Sequence, residues 1–242
     1  MSDFESLSGA APCARRIGRW LANTALFGGL GDAEIGRLGA CAARLEIGRG
    51  ALIFRAGEQC QGLYLVVSGQ VKLCLGSADG HEKVVEIVHP GQSFGMAVVF
   101  TGAPYVATSQ ALSDCTLLFL PKQAVLDEIA RAPAFSQRML AVLARRVQHF
   151  IADIEAYSLH TGRMRVIGYL LGDEQARHCA PGPGGALSLR LAQSKGTVAS
   201  RLNLTQEHFS RILHQLSEAG LIRVDKRTIH IPNVDRLRAA TS

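Results

Sequence analysis

The sequence predicts an α+β chain: an all-β unit, then a long helix, then a helix-turn-helix followed by a β-hairpin. Glycines from Gly48 to Gly102 punctuate short apolar runs, with turns every 7 to 12 residues, as in a compact β unit. Apolar residues then recur at steps of three and four after Pro121, a helical period. The excess positive charge sits entirely in the last third of the chain.

With 242 residues, 48% hydrophobic and 19% charged, the chain is too apolar and too mixed to be disordered, and two domains are expected. No apolar run reaches the roughly 18 to 20 residues that span a bilayer, and Asp3 and Glu5 open the chain in place of a basic leader. A soluble, cytoplasmic protein without a membrane partner is expected. The domains are read as residues 1–121 (arm and β unit), 122–160 (helix) and 161–242 (helix-turn-helix unit).

Taken in order, Ala33 to Ala43 has helical character. Strands are predicted over Ala51 to Phe54, Leu63 to Val67, Val71 to Leu75, Lys83 to Val88, Ser93 to Phe94 and Cys115 to Leu120. Val71, Leu73 and Leu75 alternate with Lys72 and Cys74, which points one set inward, and Asp79-Gly80 signals a hairpin. Lys122 to Leu159 reads as one long helix with the stripe Met139, Leu143, Val147, Phe150, Ile154 and Tyr157. That stripe is either the seam of a homodimer or a face lying on the β unit. Arg163 to Leu171 reads as a helix, Gly172 to Gly185 as a surface loop, and Leu187, Leu189 and Leu191 as a short strand.

Residues 1–160 carry 14 Lys/Arg and 14 Asp/Glu, whereas residues 161–242 carry 12 against 6. Such a segment attracts a polyanion by counterion release; an acidic protein or membrane surface is the second possibility and a solvated basic face the plain one. The motif within it favours DNA. Lys195 to Leu202 reads as a helix, Asn203-Leu204 as a turn, and Thr205 as the cap of a second helix running to Ala219. Phe209, Ile212, Leu213 and Leu216 share one face of that helix; Gln206, Glu207, Ser210, Arg211 and His214 share the other. Arginine can bridge guanine O6 and N7, and glutamate can accept from cytosine N4. Leu221 to Val224 and Thr228 to Ile231 flank a basic tip, Lys226-Arg227, which with Lys195 could reach phosphate.

Cys13, Cys41, Cys60, Cys74, Cys115 and Cys179 are widely spaced, so neither a zinc site nor an iron–sulfur cluster is expected, and buried thiols are. No Gly-rich phosphate loop, G-x-S-x-G or H-E-x-x-H occurs, and nothing points to an enzyme.

A glycine-punctuated β unit, a long helix and a winged helix in this order resemble the CRP/FNR superfamily of bacterial transcription regulators over nearly the whole chain. Phe54-Arg55-Ala56-Gly57-Glu58, Leu63 to Lys72 and Pro90 to Gly95 look like that family's cyclic-nucleotide-binding-type β-roll, and Glu207, Ser210 and Arg211 match the Glu-x-x-Ser-Arg pattern of the FNR branch. The resemblance implies a homodimer, double-stranded DNA bearing a TTGAT-type inverted repeat, RNA polymerase as a partner, and regulation of anaerobic or nitrogen-oxide respiration genes.

The effector segments depart from the cyclic-nucleotide pattern, in which Phe-Gly-Glu is followed by Arg-Ser/Thr-Ala. Here Phe94-Gly95-Met96 and Tyr105-Val106-Ala107 stand instead, and neither Met96 nor Tyr105 can pair with ribose and phosphate as those groups do. No cyclic AMP is therefore expected; a cyclic-nucleotide-responsive regulator of the CRP type is the alternative. Val98 to Thr108 and Ile154 to Leu159 are similar to the Dnr-type branch, which implies haem as cofactor and nitric oxide as signal. That branch has histidines before its Leu-Phe, where this chain has Thr24-Ala25 before Leu26-Phe27. His81, His89, His149, His178 or a cysteine could ligate iron, and none is singled out, so the metal ligand is unassigned.

Overall fold

The computed structural model describes residues 10–76, 82–172 and 186–240, with side chains from Arg16 onward. The Asp79-Gly80 hairpin, His81, His178, Cys179, the Pro181 to Gly185 stretch and the Cys13 side chain lie outside the described residues. Two compact units emerge, divided between Val147 and Gln148 inside one helix, with Glu82–Val84 grouped with the second.

In the first unit, α1 (Ala10–Ala22) and α2 (Asp32–Cys41) precede the strands. The α2 N-terminus is closed by the Glu34 carboxylate, which accepts from the Gly31 N–H at 2.7 Å. Among the described residues eight strands follow: β1 (Ala43–Ile47), β2 (Leu52–Phe54), β3 (Gly62–Ser68), β4 (Val71–Gly76), β5 (Glu82–Val88), β6 (Ser93–Phe94), β7 (Thr108–Ala111) and β8 (Cys115–Pro121). They form two four-stranded sheets, ordered β1-β8-β3-β6 and β2-β7-β4-β5. β8 pairs antiparallel with β1, Leu45 opposite Leu117, and with β3, Leu65 opposite Leu118. β3 is buried along most of its length, because it lies between two neighbours in its sheet and carries an unbroken apolar run. Leu63 and Leu65 of β3, Leu117 of β8, Phe54 of β2, Val71 of β4 and Ala111 of β7 share one core. The turn from β3 to β4 needs Gly69: its φ is +84°, and a Cβ there would strike the Asp114 carbonyl and, at 2.6 Å, the Cys115 sulfur.

The chain after Pro121 is two helices, not the single one predicted: α3 (Lys122–Arg131) and α4 (Pro133–Leu159). Pro133 disfavours a helical residue before it, and Ala132 is extended at φ −124°, ψ 95°. Phe135 and Met139 of α4 are buried in the first core and Leu143 packs partly against it; Phe135 also stacks on Phe27 of the N-terminal arm, centroids 5.7 Å apart. On another side Leu140, Val147, Ile151 and Ile154 stay exposed, at 57% or more, and Phe150 stays exposed between the two faces.

The second unit has α5 (Gly162–Leu171), β9 (Leu187–Arg190), α6 (Lys195–Arg201), α7 (Gln206–Glu218), β10 (Arg223–Asp225), β11 (Thr228–Ile231) and α8 (Val234–Ala239). Side-chain oxygens cap four of these helices: Thr161 accepts from Met164 N, Ser194 from Thr197 N, Thr205 from His208 N and Asn233 from Arg236 N. β11 is central in the sheet β10-β11-β9, so the predicted strand at Leu187 braces the hairpin. Val198, Ala199, Phe209, Ile212, Leu213 and Leu216 join Val166, Ile167 and Leu170 in its core.

α2 and α3 are joined by a bidentate ion pair: Arg37 donates Nε to Glu128 Oε2 at 2.9 Å and Nη2 to Oε1 at 2.6 Å. Glu128 is buried, and the guanidinium holds its carboxyl below the usual range against the opposing effect of burial. A carboxylate depressed in the folded state contributes stability above its unfolded pKa and loses it as pH falls through the folded one. Arg37→Ala should destabilise the protein at neutral pH, because it strands a buried carboxylate. Urea unfolding of both proteins should show the gap closing below about pH 4.

Candidate DNA interface and effector site

The turn between α6 and α7 is made by Asn203 in the left-handed region, φ 57°, which asparagine tolerates better than most residues. Leu204 N returns to Ala199 O at 2.9 Å, closing the two helices into a helix-turn-helix. With the apolar face of α7 buried, Thr205, Gln206, Glu207, Arg211 and His214 are exposed and Ser210 is half-buried. Glu207 and Arg211 stand one turn apart, Gln206 and Glu207 in the first turn. His214 lies further along and faces Glu218, its Nε2 3.4 Å from the carboxylate.

The hairpin tip is Lys226, at φ 53°, and Arg227. Both are exposed, and Arg227 donates Nη2 to the Ala192 carbonyl at 2.9 Å while its own carbonyl accepts from Leu191 N. The wing is thereby tied to the segment before α6. Lys195, half-buried, opens α6.

In the first unit, Phe94, Met96 and Tyr105 are all buried. Tyr105 stacks on Phe54 with centroids 3.7 Å apart, and Tyr64 stacks on Phe94 at 5.2 Å. The Tyr105 hydroxyl donates to the Gly62 carbonyl at 2.9 Å. Burial, with Cys60 and Tyr64 beside it, pushes this phenol far above its usual range, so it is a neutral donor. Cys60, Cys74 and Cys115 are buried thiols and Cys41 is exposed.

Sequence reasoning missed a cation at this site. Arg146, on the inner side of α4, donates Nη2 to Glu86 Oε1 of β5 at 2.8 Å and to the Ser93 carbonyl of β6 at 2.7 Å. Its side chain is 20% exposed. Ser93 directly precedes Phe94-Gly95-Met96, so a positive charge lies beside the segment that brings none of its own. Only its place on the Phe135–Met139 side of the helix could have signalled this, since Arg145 and Arg146 read alike in the sequence.

A family model described as cyclic nucleotide-binding domain matches residues 44–132, and one described as Crp-like helix-turn-helix domain matches residues 164–240. The cyclic AMP receptor protein of Thermus thermophilus is 29% identical over 206 residues, 85% of this chain and 91% of that one. The CRP-like cAMP-activated global transcriptional regulator of Mycobacterium tuberculosis is 25% identical over 217 residues, 90% and 96%. FixK2 of Bradyrhizobium japonicum shares the fold, with a TM-score of 0.73 at 23% identity over 83% of this chain and 98% of that one. These findings correct the effector expectation: a cyclic-nucleotide-binding domain and relatives named for cyclic AMP stand against haem and against excluding cyclic AMP. Among the described residues no group of three or more His, Cys, Asp or Glu side chains could hold a metal, and no helix is long and apolar enough to cross a membrane. The likeness also spreads over several branches, with the Dnr-type branch not set apart. Together the two matched domains, in this order on this fold, make the chain a member of the CRP/FNR superfamily of DNA-binding transcription regulators.

Proposed function

We propose that this regulator, which is not an enzyme, acts as a cytoplasmic homodimer that binds an inverted repeat and answers to a cyclic nucleotide at the β-roll. Residues 1–121 then sense, a helix within 122–160 pairs the protomers, and residues 161–242 bind DNA. Arg146 carries the effector reading. A cyclic phosphate placed against Ser93 to Met96 would meet a charged guanidinium from α4 in place of the arginine absent beside Tyr105. The phosphate would take over the role that Glu86 plays at Arg146, while the single proton of Tyr105 stays committed to the Gly62 carbonyl. Cyclic AMP is the nucleotide proposed, since the relatives named above are cyclic AMP proteins. The effector shifts DNA binding only as far as it prefers one dimer geometry over another.

On the DNA side, Glu207, Ser210 and Arg211 are proposed to read a TTGAT-type half-site, with Gln206 and His214 flanking them. Thr205, Lys195, Lys226 and Arg227 would hold phosphate, and RNA polymerase would be the partner at the promoter. Leu140, Ala144, Val147, Ile151 and Ile154 follow a four-three spacing along the exposed side of α4, which supports a paired-helix seam. Phe150 flanks that seam, Met139 and Leu143 support it from the β-roll side, and Tyr157 turns away from it to Arg201 of α6.

Three outcomes test this. Calorimetric titration should show cyclic AMP binding to the wild type and binding weakened about tenfold to a hundredfold in Arg146→Gln, the loss of a charged hydrogen bond; no binding to the wild type would sink the effector reading. Arg211→Ala should lose about 1 to 3 kcal/mol on the preferred half-site while leaving random-sequence DNA nearly unaffected, measured by competition binding. Ile151→Asp should yield monomers in sedimentation velocity, because it puts a charge in the seam.

A further inference from the structure

Arg201, the last residue of α6, has a buried guanidinium whose partners come from a single stripe of α4. Its side chain is 14% exposed. Nη2 lies 2.8 Å and 3.0 Å from the two carboxylate oxygens of Asp153 and 3.1 Å from His149 Nε2. Nη1 donates to the Tyr157 hydroxyl at 2.6 Å, and that hydroxyl donates in turn to the Arg201 carbonyl at 2.6 Å. His149, Asp153 and Tyr157 are spaced four apart, so they form one row on the last turns of the helix. Burial acts against the arginine's charge, and Tyr157 and Asp153 more than offset it.

The same helix turns carry the exposed apolar residues Val147, Ile151 and Ile154. At 3.6 residues per turn their mean direction lies roughly 125° round the helix from that of His149, Asp153 and Tyr157. One rigid rod therefore presents an apolar seam on one side and grips the first helix of the helix-turn-helix on the other. Arg201 is too enclosed to serve as a phosphate ligand, and it sits two residues before Asn203, the turn that sets α7.

We propose that Arg201 is a positioning residue for DNA recognition, a clamp through Asp153, Tyr157 and His149 that fixes the recognition helix to the helix pairing the two protomers. The inference rests on the DNA-binding dimer proposed above and adds what sets the spacing of its two reading heads. Half-sites in a repeat lie one helical turn of DNA or a multiple apart, so heads that are loosely hung engage both at a cost in effective concentration. Loosening the clamp should therefore weaken binding to the whole repeat and spare binding to one half.

The test uses the full-length protein and the duplex that wild type enriches from a random-sequence pool, intact or with one half scrambled. Arg201→Met should bind the intact repeat about tenfold more weakly and the half-scrambled duplex as wild type does. Asp153→Ala, which leaves α6 untouched, should show the same pattern, and the double variant should lose no more than either alone. In the DNA-free protein, amide exchange in α6 should rise in both single variants. Equal losses on both duplexes, additive losses, unchanged binding or a gain in affinity would each overturn the proposal. Unchanged exchange overturns it whatever the DNA result, whereas failure to enrich any duplex, with exchange raised, overturns the DNA-binding reading and keeps the clamp.

Discussion

α4 must satisfy three different surroundings with one set of side chains, and the rest of the structure depends on how it divides them. Phe135 and Met139 belong to the core of the β-roll, and Arg146 reaches from the same side to β5 and β6. In the second unit, Asp153 and Tyr157 hold Arg201 of α6. The opposite side keeps Leu140, Val147, Ile151 and Ile154 in the open. Because a helix is stiff on the scale of three or four turns, none of these sides can rotate without the others.

This division explains why charges, more than apolar residues, mark the functional points of the helix. Arg146 and Asp153 are largely enclosed, each with an ionised partner. Enclosed ion pairs contribute little net stability compared with apolar packing, but their geometry is specific and breaking one partner away is costly. They suit contacts that must be made in one arrangement. The Arg37–Glu128 pair does the same for α2 and α3, holding the helices that flank the strands.

Much of this was legible in the sequence, for reasons that also explain the gaps. Strands β3, β4 and β8 announce themselves through apolar runs and alternation, and α7 through its Thr205 cap and clean amphipathic division. β1 and β7 went unread because Ala43–Ile47 and Thr108–Ala111 are short, and polar or half-exposed; their pairing with β8 and β4 makes them strands. α8 is six residues long and escaped for the same reason. The stripe read along α4 mixed residues of two sides, since Met139 and Leu143 face the β-roll while Val147 and Ile154 do not. With apolar residues on both sides, periodicity gives no way to tell them apart. The placement of Arg146 beside Ser93 was not legible, because the two lie far apart in the sequence and only tertiary structure brings them together.

Trp20 is the chain's single tryptophan. It is half-buried, with the guanidinium of Arg16 5.2 Å and that of Arg44 5.5 Å from its ring centre. One partner comes from α1 and the other from β1, so its emission is sensitive to the seating of the N-terminal helix on the first sheet. A tryptophan signal that moves on adding a small molecule thus reports that the arm has shifted, and the helix-turn-helix would need a fluorophore of its own.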